Sequence, residues 1–339
     1  MHLRSISAYA RELKQLMPAG SFASAQLRVL WLPLHFGVVA LSIAALAHGV
    51  AWPLWPLLSL LIGCSFAGGT FVAHEALHGA LVRGRSVRRL IGWLGFLPFG
   101  VSPRLWEAWH NRVHHGHTND PSQDPDAYPT LDQYRRSAGV RAATELALGR
   151  GRWRGLVSVL IGFTVQSAHQ LLDARARRLL NRREHLQALV ESALGVALWI
   201  ALAIALGPLT FLFAFMLPLV VGNSIIMSLI LTNHCLSPHT DVNDPLVNSL
   251  SVTSSRWFEV YTLGFGFHVE HHLFPAMSGR HARPLAQLLK QRFPERYQAV
   301  PLPKALRGLY RSARVYDTPT TLMDPKTGQR WQTLTPKPA

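Results

Sequence analysis

Residues 55–78 read WPLLSLLIGCSFAGGTFVAHEALH. The stretch Trp55–Ala73 carries no charge and is long enough to span a bilayer. It runs without a break into His74-Glu75-Ala76-Leu77-His78. In a helix His74 and His78 lie four apart on one face, where two imidazoles can share a metal. The fold therefore turns on how many further spans there are, and whether they bring other histidines to the same side.

The composition agrees with a membrane setting. Of 339 residues, 49% are hydrophobic and only 15% charged, with a mean hydropathy of +0.15; soluble domains are nearer a quarter charged. Formal net charge is +16, an excess that in membrane proteins marks cytoplasmic loops facing anionic lipid. Nucleic acid is the rival partner for such charge, but the long uncharged segments argue against it. Cys64 and Cys235 give no disulfide framework. Histidine, at 17, is the anomalous count.

Residues 1–28 form a basic, partly amphipathic lead at the cytoplasmic surface. Val29–Ala47 is a first span; its Ala45-Leu46-Ala47 end resembles a signal-peptidase site, but a second span follows at once, so an uncleaved helix is expected. Spans at 29–47 and 55–73 then make one hairpin. Arg83, Arg85, Arg88 and Arg89 after it mark the cytoplasmic side. Ile91–Gly100 is too short to cross and reads as interfacial. The apolar stretch 155–172 is also placed in the interface. If it crossed, Arg175, Arg177, Arg178, Arg182 and Arg183 would lie outside, and the last histidines would be separated from the first. Spans at 189–207 and 208–232, hinged at Gly207-Pro208, form a second hairpin. The membrane domain covers 29–285, and 286–339 is a polar, basic cytoplasmic tail. The expected fold is an all-α, multi-pass integral membrane protein: four transmembrane helices in two hairpins, with interfacial helices and a cytoplasmic cap.

The histidines follow this topology. After His74 and His78 come His110, His114 and His115 in HNRVHH, then His234 at the end of the last span, then His268, His271 and His272 in HVEHH. All emerge on the cytoplasmic face. Nine imidazoles exceed the four ligands of one zinc site and suit two metals; ligand chemistry alone allows iron, zinc, copper or nickel. His2, His185 and His281 read as surface residues, and His35, His48 and His169 as packing or interfacial ones. His117 and His239 are intermediate. Glu75, Asn119, Asp120, Asn233, Asp244 and Glu270 are candidate acceptors that fix imidazole tautomers. Trp106 and Trp109 line a lipid tunnel or sit at the interface.

HEALH, HNRVHH and HVEHH, with HTND after the second box and NH closing the last span, resemble the membrane fatty acid desaturase family over roughly residues 29–285. The resemblance implies a non-haem di-iron centre on the cap at the cytoplasmic membrane face, the inner membrane in a bacterium. It implies O2-dependent removal of two hydrogens from an acyl lipid, with electrons from a separate ferredoxin-like or cytochrome b5-like donor. Carried over residue by residue, the ligands are His74, His78, His110, His114, His115, His268, His271 and His272, with His234 as the additional one. The middle box has three residues between its first two histidines, one more than the commonest form. A lipid or carotenoid hydroxylase or ketolase shares the metal centre; Leu273-Phe274-Pro275 after HVEHH resembles acyl desaturases more. HEALH also satisfies an intramembrane zinc metallopeptidase pattern, with Glu75 as general base, but that leaves six box histidines without a role. A membrane cytochrome would want its histidines inside the spans.

Overall fold

The computed structural model describes residues 2–335. Four of its helices are long and apolar enough to cross a membrane: Gln26–Ala47, Trp52–Leu77, Arg182–Leu206 and Pro208–His234. At about 1.5 Å per residue each exceeds the ~30 Å hydrocarbon core of a bilayer. Their ends follow from local chemistry. Pro56 and Pro208 sit in first turns, where the missing N–H costs nothing. Asn181 and Glu184 form a reciprocal capping box at the start of Arg182–Leu206, with bonds of 2.9 and 3.0 Å. Gly207, at φ +73°, takes the backbone between the last two spans through a region that side chains disfavour.

The 155–172 stretch is not one helix. It breaks at Ile161 into Trp153–Leu160 and Gly162–Asp173, bent by 64°. By length and composition this pair also allows one broken span.

The chain divides into two compact units. One is built from Ser24–Trp109 and Leu160–Met227. Within it helix Arg85–Phe96 buries Ile91, Gly92, Gly95 and Phe96, and its Arg89 pairs with Glu107 at 2.7 Å. It comes so close to helix Trp55–Leu77 that a Cβ on Gly95 would collide with the Gly69 carbonyl. Glu191 anchors the segment after it: its carboxylate accepts from Ser102 Oγ at 2.6 Å and Arg104 Nε at 2.7 Å.

The other unit comprises the described parts of Met1–Ala23, His110–Val159 and Ser228–Ala339. Helix Ile6–Lys14 buries Tyr9 and Leu13 completely, in a core with Leu246, Val269, Leu273, Leu285 and Leu289. The apolar side of helix Ile6–Lys14 is thus covered by protein. Beyond residue 286 the chain is also folded: helix Leu302–Arg311 buries Ala305 and Leu309. Strands Tyr316–Thr318, Thr321–Met323 and Arg330–Gln332 form an antiparallel sheet. Ser251–Thr253 and Ala299–Pro301 pair in parallel, with Val252 opposite Val300. These three-residue strands depart from the all-α expectation. They are too short for alternation to be legible in sequence, and the chain is mostly rather than wholly helical.

Candidate metal centre

Helix His268–Leu273 carries the last histidine cluster. His268 and His272, four apart, bring their Nε2 atoms to 3.2 Å. His234, the last residue of helix Leu217–His234, places its Nε2 at 2.7 Å from that of His268. The His114 ring stands edge-on to His234 and His272, at centroid distances of 4.7 and 5.1 Å. These four imidazoles are all buried and offer ring nitrogens within 4.8 Å of one another.

A second convergence adjoins the first. His115 Nε2 lies 3.2 Å from His110 Nε2 and 3.0 Å from His271 Nε2. The His115 ring stacks on His272 at 4.3 Å, joining the two groups. His110 and His114 lie in Glu107–His114, which is wound as a π-helix; the His115 N–H donates to the His110 carbonyl at 3.0 Å, one full π turn back.

His74 and His78 belong to the other unit. Helix Trp55–Leu77 continues past its apolar stretch to take in His74, and the His74 and His78 rings pack at 4.7 Å. Trp106, itself buried, meets both edge-on at 5.3 and 5.1 Å. Trp109 is buried too.

The electrostatics fit a cation. Burial, and then the neighbouring imidazoles His115, His268, His234 and His114, push the His272 pKa well below its ordinary value. It is therefore neutral, as a ligand must be. Adjacent Nε2 atoms at 2.7–3.2 Å would oppose lone pair to lone pair unless a proton or metal lies between them. Burial would also depress His114, but the charge and hydrogen bond of Asp124, with Asp126 behind it, hold it up at about 8. His114 Nδ1 lies 3.0 Å from Asp124 Oδ2; this pairing favours the protonated ring, and a metal that displaced the Nε2 proton would find the Nδ1 proton held by Asp124 and the Nε2 lone pair free for the cluster. His272 Nδ1 is 3.1 Å from Thr118 Oγ1.

Asp124 and Thr118 are not among the residues that the sequence singles out. Five of the six side chains suggested by the sequence as acceptors make bonds elsewhere. Glu270 accepts from Ser251 Oγ at 2.6 Å and Tyr297 O–H at 2.5 Å. The reason is helical phase: two residues after His268, it points away from the face that His268, His271 and His272 share. Glu75 pairs with Arg28 at 3.0 Å. Asp244 accepts from Tyr9, Arg296 and the Arg4 N–H. Asp120 caps its own turn through Ser122 and Gln123. Asn119, in left-handed backbone at φ +57°, donates to the carbonyls of His234 and Asn248, so it braces backbone, not a ring. Asn233 is fully buried; its backbone carbonyl accepts from Leu250 N–H at 2.7 Å, while its side-chain amide has no hydrogen-bond partner among the described residues.

Outside these groups, His239 stacks on Tyr316 at 3.5 Å. His35 is buried against Gly68, His185 Nε2 meets the Leu171 carbonyl, and His281 accepts from Arg280. None of them, nor His117, joins a metal-binding group among the described residues.

Comparisons with known proteins point to one family. The chain is 29% identical over 124 residues to the sn-1 acyl-lipid omega-3 desaturase (ferredoxin) of Synechocystis sp., covering 36% of this chain and 34% of that one. It is 22% identical over 278 residues to the chloroplastic omega-6 fatty acid desaturase of Spinacia oleracea, 77% of this chain and 60% of that one. The Delta(12)-oleate desaturase of Trichosanthes kirilowii is 22% identical over 355 residues, 94% of each chain. The matches thus span about a third and three fifths of the first two relatives. The sequence profile described as fatty acid desaturase matches residues 50–302, well over half of the chain. The chain belongs to the fatty acid desaturase family.

Proposed function

We propose that this protein is a multi-pass membrane desaturase that uses O2 to introduce a C=C bond into a fatty acyl lipid. The observation that carries the reading is the buried convergence of His114, His234, His268 and His272 in a chain of this family. These four would hold one iron. His110, His115 and His271, with His74 and His78 assigned to the same centre by their boxes, would hold a second. Bound iron would supply the oxidising power that an unactivated methylene, with no acidic proton, requires. Overall, O2 takes two electrons from the acyl chain and two from a donor and leaves as two waters.

The chain's own residues do the rest. Asp124 holds a proton on His114 Nδ1, and Thr118 fixes the His272 ring; burial excludes water from the four-histidine group. The acyl-lipid substrate is supported by the names of the relatives, and a ferredoxin-like donor by the Synechocystis protein's; a cytochrome b5-like donor serves the same chemistry. Two hairpins of spans, an interfacial 155–172 segment and a histidine cap on the cytoplasmic face rest on the arginine distribution. The metallopeptidase alternative loses support because the Glu75 carboxylate, its general base, is engaged by Arg28.

The test is expression in a host without such enzymes, with total lipids profiled by mass spectrometry and metal counted on purified protein. New unsaturated acyl chains and two irons per chain are expected. Hydroxylated or keto lipids would assign the oxygen-inserting relative instead, and one zinc without lipid change would overturn the reading.

A further inference from the structure

We infer that the π turn at Glu107–His114 exists to absorb the additional residue of the second histidine box, and that Arg112 is that residue. The inference rests on the proposed metal-binding role of His110, His114 and His115.

In an α-helix, at about 100° per residue, H-x-x-H-H spreads its three rings over roughly 100°. The box here is H-x-x-x-H-H. Wound as an α-helix it would turn His115 about 140° from His110, outside any shared coordination sphere. A turn closed by i→i+5 bonds holds nearly one more residue and brings His115 back to within roughly 50° of His110.

The structure has that arrangement. The His115 N–H bonds to the His110 carbonyl at 3.0 Å. The Nε2 atoms of the same two residues approach to 3.2 Å. His110 and His114 stack at 5.0 Å and 26°, so all three rings lie on one side. Of the three intervening residues Arg112 alone is classed as exposed; Asn111 and Val113 are half-buried. Its removal takes nothing from the core and converts the box to H-x-x-H-H. A π turn differs from an α turn by about one residue, so helix Pro103–Trp106 before it would keep its phase relative to the box.

The experiment compares three full-length proteins purified in detergent: wild type, a deletion of Arg112, and an insertion of one alanine between Arg112 and Val113. Iron per chain is measured by mass spectrometry. The deletion should keep the wild-type iron content, and the insertion should lose at least half of it. Loss of iron from the deletion overturns the inference. So does its failure to fold, because preserved phase predicts a folded chain. An insertion that keeps full iron overturns it as well. A wild type without iron would instead overturn the proposed metal centre, leaving the two failures distinct.

Discussion

His114 Nδ1 and Asp124 Oδ2 lie 3.0 Å apart, both buried, and the same carboxylate also accepts the backbone N–H groups of Asn119 and Asp126 at 2.8 and 2.9 Å. One side chain therefore fixes a ring tautomer and the loop that follows the second box. Replacing such an outer partner typically costs 10–100-fold in metal affinity. Asp124→Asn is expected to weaken iron binding within that range while leaving one amide oxygen for the loop. An iron titration of the purified variant with an affinity equal to wild type would remove Asp124 from the site.

His271 sits where the second and third boxes meet, its Nε2 3.0 Å from that of His115. His271→Ala should abolish desaturated product and lower bound iron while membrane insertion remains normal, because the residue is only half-buried and lies outside the long apolar helices. Lipid profiling, iron analysis and fractionation together check this; full activity would sink the di-iron assignment.

Arg28 and Glu75 form an ion pair with both side chains largely shielded. Removing one partner leaves the other charged and desolvated, at a cost of about 3 kcal/mol or more. Arg28→Ala and Glu75→Ala should each lower the thermal stability of the solubilised protein. The double variant should cost less than their sum, with a coupling of roughly 0.5–3 kcal/mol. Glu75→Gln separates the chemistries: loss of a general base costs about 100-fold or more in rate, whereas a structural glutamate leaves desaturation within about tenfold. Strict additivity would show that the pair does not matter.

The histidine boxes were legible because their spacing is local. Residues four apart on a helix share a face wherever the helix goes, and charge placement orders the spans. Partners were not legible. Glu270 meets Tyr297, 27 residues away, and nothing in HVEHH announces that tyrosine. Its direction could have been read: two positions from His268 it must leave the metal-facing side. Tyr9 and Leu13 illustrate a different limit, since an amphipathic face suits lipid and protein equally, and only the fold shows them closed into a protein core. The π turn was hinted at by the extra residue in HNRVHH, a spacing that an α-helix does not serve.

Tyr297 donates to Glu270 Oε1 at 2.5 Å, and Ser251 Oγ takes both Glu270 Oε2 and the Val269 N–H. Burial raises the Glu270 pKa, and these two hydroxyls counter it. Tyr297→Phe leaves a buried carboxyl oxygen short of a partner, which costs about 1–3 kcal/mol. The expected result is a lower melting temperature with iron stoichiometry unchanged, the reverse of the pattern at His271. Iron loss without destabilisation would mean that Tyr297 acts on the metal centre directly.

His239 supplies a pH test away from the metal-binding groups. Burial dominates its environment; the Tyr128 backbone, Asp124 and Asp120 counter it only in part, and its pKa falls to about 4 from 6.5. It is therefore neutral in the fold, stacked on Tyr316. A depressed folded-state pKa gives stability that is complete above the unfolded value, near 6.5, and is lost as pH falls toward 4. The difference between the limits is about 3 kcal/mol. The readout is the difference between wild type and His239→Phe, which keeps the stack without the titration. Between pH 7 and 4.5 the wild-type melting temperature should fall more steeply than the variant's. Parallel curves would mean that protonated His239 is accommodated without cost.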